Sequence, residues 1–372
     1  AWRSLTKKKG FSVVNIVGLA IGMAAALLIL TYVAFEYSYD DMHSRQDRIF
    51  RVEARFYENG ELTDDWASSS AGYATAMKQN MSAVEDYTRV GSQYYPEQVV
   101  KYNELLCRET GIGYAEANFF DFFDFKLLKG NKESCLDGPN KVVITERIAR
   151  KYFKGADPIG KILIFRSNIG EEACEVTGIM EDMPINTHIR YNLLISYKTL
   201  PKWMDEYWYR HEVYSYVLLK SANLKTQVEE DFPVMAEKYK TEEALKNKTW
   251  AIQLTNLRDI HLNPQKAYEP EVKGNRSSIW VLICTALAIL CIAWINYINM
   301  TVARSMERAK EIGIRRTSGA SRRQVISQFL FESLVTNSIA FILAIGLMEA
   351  LMPSFNNLTG RDLSFSVWFT TS

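Results

Sequence analysis

The segment from Gly155 to Ile162 is the part of this sequence that comes nearest to a known chemical motif. Its glycines and Lys161 fit the phosphate-binding loop of nucleotide-binding proteins, but Ile162 stands where that loop needs a Ser or Thr hydroxyl for magnesium. The loop must also open a helix whose backbone amides cradle phosphate, whereas the residues from Ile162 to Phe165 have the character of a strand. We therefore interpret the segment as a plain turn.

Residues that could bind a metal or attack a substrate are present, but they are not spaced for either task. The histidines at positions 43, 188, 211 and 261 lie far apart and form no His-x-x-x-His pair, so a zinc site would depend wholly on folding. The Gly-x-Ser-x-Gly turn of many serine hydrolases does not occur. The sequence predicts no catalytic residue, no metal ligand and no cofactor held by this chain.

The strongest pattern is the segregation of charge along the chain. Residues 10–35 and 277–303 contain no Asp, Glu, Lys or Arg, in runs of 26 and 27 residues. About 20 helical residues cross the roughly 30 Å apolar core of a bilayer, so both runs are long enough to span it. A third apolar stretch covers 329–352, and we expect Pro353 to end its helix. These features predict a membrane protein.

The distribution of Lys and Arg predicts the orientation. Four basic residues and no acidic ones precede the first span, and 304–323 carries seven basic against two acidic residues. Short loops rich in Lys and Arg remain in the cytoplasm. The region 36–276, with a net charge of -6, is therefore placed outside. The sequence starts at Ala1 and stops soon after a fresh apolar stretch, so we expect it to be a fragment.

The predicted fold is an α-helical transmembrane bundle, with three spans and the start of a fourth, that carries a large extracytoplasmic α+β domain. Its segments are a cytoplasmic tail (1–10), a first membrane helix (11–35), the outside domain (36–276), a second membrane helix (277–303), a cytoplasmic loop (304–328), a third membrane helix (329–352), and an outside loop with the start of a truncated fourth span (353–372).

Mixed periodicity indicates the α+β character of the outside domain. Phe50 to Phe56 alternates apolar and charged residues, as in a half-buried strand, and shorter strands are predicted at 162–165, 174–179, 214–219 and 250–254. Thr145 is placed to cap a helix, and 68–81 and 225–240 are further helix candidates. Turn-rich stretches at 131–140 and 155–160 suggest a subdomain inserted near 100–210.

Small residues recur every fourth position on the first span, at Gly18, Gly22 and Ala26. Such spacing lets another helix backbone approach closely, and we predict a helix-packing face. In the cytoplasmic loop, Gly319 breaks a charged helix and Ser321 to Gln324 has the spacing of a capping box. The loop is either a solvated topogenic hairpin or a docking element for a partner. Ile312 and Ile314, apolar among charges, favour docking.

These residues resemble the FtsX-like permease family, the membrane subunits of the MacB type of ABC transporter. The likeness is carried by the loop sequence from Glu311 to Gln324, by Trp2 to Gly22, and by Tyr39 to Val52. Outside, Val143 to Phe153 and Asp157 to Lys161 are similar to the family's MacB-like periplasmic core domain.

The resemblance implies a permease subunit of the bacterial inner membrane, with its large domain in the periplasm. ATP and magnesium would be bound by a partner, a cytoplasmic ABC ATPase, whose motion the permease transmits to the periplasmic domain for export or release of a substrate. The resemblance further implies a dimer or tandem pseudo-dimer, surrounding membrane lipid, a periplasmic adaptor protein, and no nucleic acid. The residues assigned to ATPase coupling are Glu311, Ile312, Gly313, Ile314, Arg315, Arg316, Gly319, Ala320, Arg322 and Arg323.

Two other functions remain as alternatives. A membrane-anchored sensor that binds a ligand through 36–276 would need an output domain inside, and the inside loop has only about 25 residues. An enzyme acting outside the cell would need a catalytic motif, which the outside region lacks. Co-purification with an ATPase separates the permease from both.

Overall fold

The computed structural model describes residues 9–91, 97–167, 170–211, 213–240, 245–269, 273–303, 313–314, 317, 319, 321–365 and 368. The chain forms two compact units. One consists of Ala1–Ser38 and Asn275–Ser372 and is called the helical unit here. The other, Tyr39–Gly274, is called the sheet domain.

The α-helices of the described residues are Lys9–Tyr37 (α1), Gly72–Asn80 (α2), Phe119–Phe122 (α3), Glu146–Phe153 (α4), Lys225–Ala236 (α5), Arg276–Ala303 (α6) and Arg322–Thr359 (α7). Three of them, α1, α6 and α7, are long and apolar enough to cross a membrane. In the helical unit, α1 packs against both α6 and α7. Leu19 and Ala20 of α1 are buried in one cluster with Ala340 of α7.

The predicted end of the third apolar helix is wrong. Helix α7 continues past Pro353 and ends at Thr359, where Gly360 takes the left-handed conformation (φ 64°) and its N–H bonds to the carbonyl of Asn356. A proline inside a helix removes a single N–H donor, and the helix continues beyond it to a glycine that can adopt the capping conformation.

The sheet domain is built on one mixed sheet. Its strands are Ile49–Glu58 (β1), Glu61–Trp66 (β2), Val84–Gly91 (β3), Glu97–Tyr102 (β4), Leu105–Thr110 (β5), Ile112–Ala115 (β6), Leu127–Lys129 (β7), Lys141–Thr145 (β8), Ile162–Ser167 (β9), Gly170–Met180 (β10), Leu193–Ser196 (β11), Val213–Leu219 (β12) and Lys248–Asn256 (β13). The order is β13-β1-β12-β3-β6-β11-β8-β10-β9-β4-β5, while β2 pairs with β1 and β7 with β10. All five strands predicted from the sequence are present.

Helices cover the sheet through apolar side chains at helical spacing. Helices α2 and α5 contribute Tyr73 and Phe232 to a core that also holds Trp250 of β13. Helix α4 begins at its predicted cap, since the Thr145 hydroxyl accepts a hydrogen bond from the backbone N–H of Ile148. The segment that resembled a phosphate loop is a turn between α4 and β9, as expected.

Candidate functional site

The structure describes half of the residues assigned to ATPase coupling. Gly313 and Ile314 are helical and exposed, and Ile314 exposes 60% of its surface. Gly319 lies in a turn at φ 93°, a conformation that favours glycine. The other five assigned residues of the loop lie outside the described residues: Glu311, Ile312, Arg315, Arg316 and Ala320.

The loop ends in the predicted capping box. The Ser321 hydroxyl accepts a hydrogen bond from the N–H of Gln324, and the Gln324 side chain accepts one from the N–H of Ser321, at 2.9 Å. Arg322 and Arg323 follow at the start of α7, both exposed. Cations oppose the helix macrodipole at an N-terminus, so helix stability does not explain these two residues.

The residues assigned to helix packing lie on α1. A Cβ built on Gly22 would lie 2.7 Å from the Ala293 Cβ of α6, closer than side chains approach each other, so only glycine permits this helix contact. A Cβ on Gly18 would lie 3.6 Å from the Asn296 amide nitrogen, an ordinary contact distance. Ala26 is 1% exposed.

A buried ionic network joins the first strand of the sheet domain to its last segment. Arg51 of β1 is fully buried and binds Glu53 at 2.6 Å and both oxygens of Glu269, at 2.7 and 3.3 Å. Lys273 Nζ lies 2.6 Å from Glu269, and Lys266 Nζ lies 2.8 Å from Glu53. The described residues 260–269, 273 and 274, here called the exit segment, precede α6 in the sequence.

Burial and charge pairing act in opposite directions on the pKa values of Arg51 and Glu53 in this network. Burial alone would lower the pKa of Arg51, but Glu53 and Glu269 outweigh burial and raise it. Burial would raise the pKa of Glu53, whereas Arg51 and Lys266 hold it below its ordinary value. Lys266 also pairs with Asp65 of β2 at 2.8 Å, and Asp65 in turn pairs with Arg55 at 3.4 Å, which brings the described network to four cations and three carboxylates. Each of these carboxylates lies against at least one cation.

The alternation in β1 had predicted that its charged residues face solvent, and this expectation is wrong for two of them. Arg51 is 0% and Glu53 is 1% exposed, because the exit segment covers that face. The available signal was charge complementarity, since Lys266, Glu269 and Lys273 follow one another at intervals of three and four residues. Reciprocal burial of oppositely charged side chains far apart in sequence is not visible to a periodicity analysis.

The first residues of the sheet domain, like the exit segment, are bonded to its interior. Asp40, three residues after the end of α1 in the sequence, accepts hydrogen bonds from the Thr187 hydroxyl at 2.5 Å and from the backbone N–H of His188. The His188 imidazole contacts the second Asp40 oxygen at 2.7 Å. Tyr39 stacks on His261 of the exit segment with ring centroids 3.4 Å apart. Both ends of the domain are therefore bonded into its interior.

Among the described residues, no group of three or more His, Cys, Asp or Glu side chains is arranged to hold a metal ion. Of the four histidines, three are buried, and His211 stacks on Tyr268 with ring centroids 3.7 Å apart. The described residues thus show an exposed basic helix start, a close helix contact, and a sheet whose first strand is bonded to the segment that leaves the domain.

Two family models match the chain. The MacB-like periplasmic core domain matches residues 12–233, and the FtsX-like permease C-terminal domain matches residues 283–372. The macrolide export ATP-binding/permease protein MacB of Neisseria meningitidis serogroup A is 26% identical over 258 residues, which are 68% of this chain and 37% of that protein.

One further relative matches a larger share of this chain, and one solved structure is covered almost completely. The probable syringafactin export ATP-binding/permease protein SyfD of Pseudomonas syringae pv. tomato is 23% identical over 94% of this chain and 50% of its own length. The chain thus spans half or less of these two curated relatives. A crystal structure of one domain of a Porphyromonas gingivalis protein described as a permease covers 62% of this chain and 96% of that domain, with 23% identity and a TM-score of 0.52. This last likeness shows the fold alone.

Proposed function

The chain belongs to the FtsX-like permeases with a MacB-like periplasmic core domain, and from this premise we propose that it is the permease subunit of an ABC transporter. In this proposal a separate cytoplasmic ATPase binds the loop before α7, and its ATP-driven motion passes through the membrane helices to the sheet domain. The sheet domain then moves to export or release a substrate, without a catalytic step in this chain.

The observation that carries the proposal is the matching of both family models to the two units of one chain. The core-domain model covers most of the sheet domain, and the permease model covers α7 and most of α6. The matched residues of this chain correspond to the permease families, and as part of the proposal we assign ATP hydrolysis to a partner. Dimerisation, a periplasmic adaptor and placement in the bacterial inner membrane with the sheet domain outside are parts of the same proposal.

The ionic network supports the mechanical part of the proposal. A domain that passes on a displacement must be bonded at the points where the displacement enters and leaves. The Asp40 carboxylate holds the entry by three contacts, and Arg51 joins β1 to the exit segment through Glu269. Buried ion pairs are costly to open. A displacement of the chain at Asp40 or at the exit segment is therefore expected to move the sheet as well.

The binding experiment uses the full chain, purified in detergent, and an assay for co-purifying ATPase. Removal of residues 304–324 is expected to abolish recovery of the ATPase. The double change Arg322→Glu and Arg323→Glu is expected to reduce it at least tenfold, because two cations become anions at the start of α7. Arg108→Glu, on the 80% exposed side chain of a β5 residue, is the matched control and should leave recovery unchanged.

The mechanical experiment adds nucleotide to the purified complex. Hydrogen exchange of β1 amides is compared with and without a non-hydrolysable ATP analogue. We expect a nucleotide-dependent change at β1 that disappears in the loop deletion. Recovery of a well-folded chain without any ATPase would instead favour the membrane-anchored sensor.

A further inference from the structure

His43 is a buried histidine that the proposed function does not use. It is 0% exposed and packs against the rings of Phe123 and Phe125, with centroids 5.3 and 5.0 Å away. Its Nδ1 accepts a hydrogen bond from the backbone N–H of Asp124 at 3.1 Å. Its Nε2 is buried and has no hydrogen-bond partner among the described residues.

This geometry accepts only the neutral imidazole. An imidazolium carries a proton on both nitrogens, so Nδ1–H would point at the N–H of Asp124, donor against donor. The Nε2–H is already present in the neutral tautomer and has no hydrogen-bond partner among the described residues, so protonation would add a buried charge beside Phe123 and Phe125 without a hydrogen-bonded counter-ion. Burial accordingly lowers the pKa of His43 from 6.5 to about 4.

The charged groups around His43 do not offset this burial. Asp40 and Asp124 favour the protonated form, whereas His188 opposes it. The Asp40 carboxylate is committed to Thr187 and His188, and His188 Nε2 contacts the Tyr216 hydroxyl at 2.9 Å. The Asp124 carboxylate accepts the backbone N–H of Ser44. Tyr216 in turn lies near Arg51, whose charge is balanced by its own carboxylates.

We propose that residues 39–44, here called the entry latch, form an acid-sensitive attachment that opens from the sheet domain when the pH at that domain falls. Opening frees the His43 imidazole to bind a proton that the closed form cannot accommodate. Closing returns the proton to solvent and restores the Asp124-to-His43 hydrogen bond. Asp40 adopts a left-handed backbone conformation (φ 61°) in the closed latch, a strained state for a residue with a side chain, which its hydrogen bonds maintain.

Acid would therefore uncouple the first membrane helix from the sheet, a consequence that rests on the proposed function. Between pH 7.5 and pH 5, a histidine with an ordinary pKa when open and a pKa of about 4 when closed raises the open-to-closed ratio roughly 30-fold. Opening of the latch itself does not depend on an ATPase.

The test is hydrogen exchange of the full-length protein in detergent from pH 7.5 to pH 5, corrected for intrinsic exchange rates. The amides of Asp40 and Asp124 report the latch, because the first bonds to the Asn186 carbonyl and the second to His43. Their protection is expected to fall roughly 30-fold at pH 5. Protection of β8, in the middle of the sheet, is expected to stay constant and separates local opening from unfolding.

The variant His43→Asn places an amide oxygen near the position of Nδ1 and cannot be protonated. It is expected to keep the bond to Asp124 and to remove the pH dependence of latch protection. Asp40→Asn is expected to weaken protection at every pH. Retained pH dependence in His43→Asn, or flat protection in the unmodified chain, overturns the proposal.

If His43→Asn does not fold, the profile of the unmodified chain decides alone. Equal loss of protection in β8 and the latch also overturns the proposal, since it would mean general unfolding. ATPase recovery does not enter this readout, so a failed latch leaves the permease proposal standing. If the ATPase is not recovered but the exchange profile is as expected, the permease proposal fails and the latch proposal stands.

Discussion

Removing one charge from the buried network is the sharpest perturbation that the sheet domain offers. The side chain of Glu269 is 2% exposed and binds two cations, Arg51 at 2.7 Å and Lys273 at 2.6 Å. The variant Glu269→Gln keeps the shape of the side chain and one acceptor oxygen, but it removes the negative charge. Arg51 then retains Glu53, whereas Lys273 loses the carboxylate that it contacts in the described structure.

The expected loss follows from the burial of these groups. Breaking a buried ion pair by removing one partner costs about 3–5 kcal/mol, and the remaining amide acceptor places the estimate near the lower end, about 3 kcal/mol. In a domain of this size, each kcal/mol shifts the unfolding midpoint by about 2–4 °C. The midpoint of the sheet domain should therefore fall by about 6–12 °C.

Differential scanning calorimetry of the full chain in detergent measures this shift. Glu97→Gln is the matched control, because Glu97 pairs with Arg108 at 3.7 Å with both side chains more than half exposed. Exposed pairs contribute at most about 1 kcal/mol, so the control should move the midpoint little. Adding Lys273→Met to Glu269→Gln should recover part of the loss, because it removes the orphaned charge. Equal midpoints for Glu269→Gln and Glu97→Gln would refute the assignment of a tightly coupled network.

Four further outcomes are expected. Gly22→Leu should reduce crosslinking between cysteines introduced on α1 and α6, whereas Gly346→Leu should not, since a Cβ there meets no atom within 4 Å. Ser321→Ala should cost about 1 kcal/mol of α7 stability and increase hydrogen exchange in its first turn. Thr145→Ala should cost a similar amount, measured by calorimetry. Because His43 binds its proton more readily when unfolded, the unfolding free energy should fall by up to about 3 kcal/mol as the pH drops from 6.5 to 4, and His43→Asn should lack this loss in denaturant titrations.

Elements set by local chemistry were predictable from the sequence. Thr145 caps α4 because its hydroxyl reaches a backbone N–H three residues on, and the same spacing places Ser321 at the start of α7. Strand β1 follows from a period of two, and the three membrane-length helices follow from two uncharged runs and a third apolar stretch. In each case the interaction that forms the element lies within a few residues of it.

The end of α7 was predicted at the wrong residue, because Pro353 does not end the helix. Pro353 carries a strong helix-breaking tendency, yet the helix runs six residues further to a glycine. A proline removes one backbone hydrogen bond. The helix continues through it when the residues before and after the proline keep their own backbone hydrogen bonds. The glycine at position 360 was the better stop signal, because it alone supplies the left-handed turn that closes the last carbonyls.

The buried ionic network escaped prediction because Arg51 and Glu269 are distant in sequence. Arg51 and Glu269 are 218 residues apart, and each taken alone has the pattern of an exposed charge. Burying either one alone would be prohibitively costly, so their joint burial is a property of the folded domain as a whole. Since β1 is also paired with β12, β13 and β2, any displacement of Arg51 must shift three strands together. A bond of this kind has little value as a source of stability compared with an apolar core, but it fixes the register between the first strand and the exit segment, which supports the proposed transmission of motion.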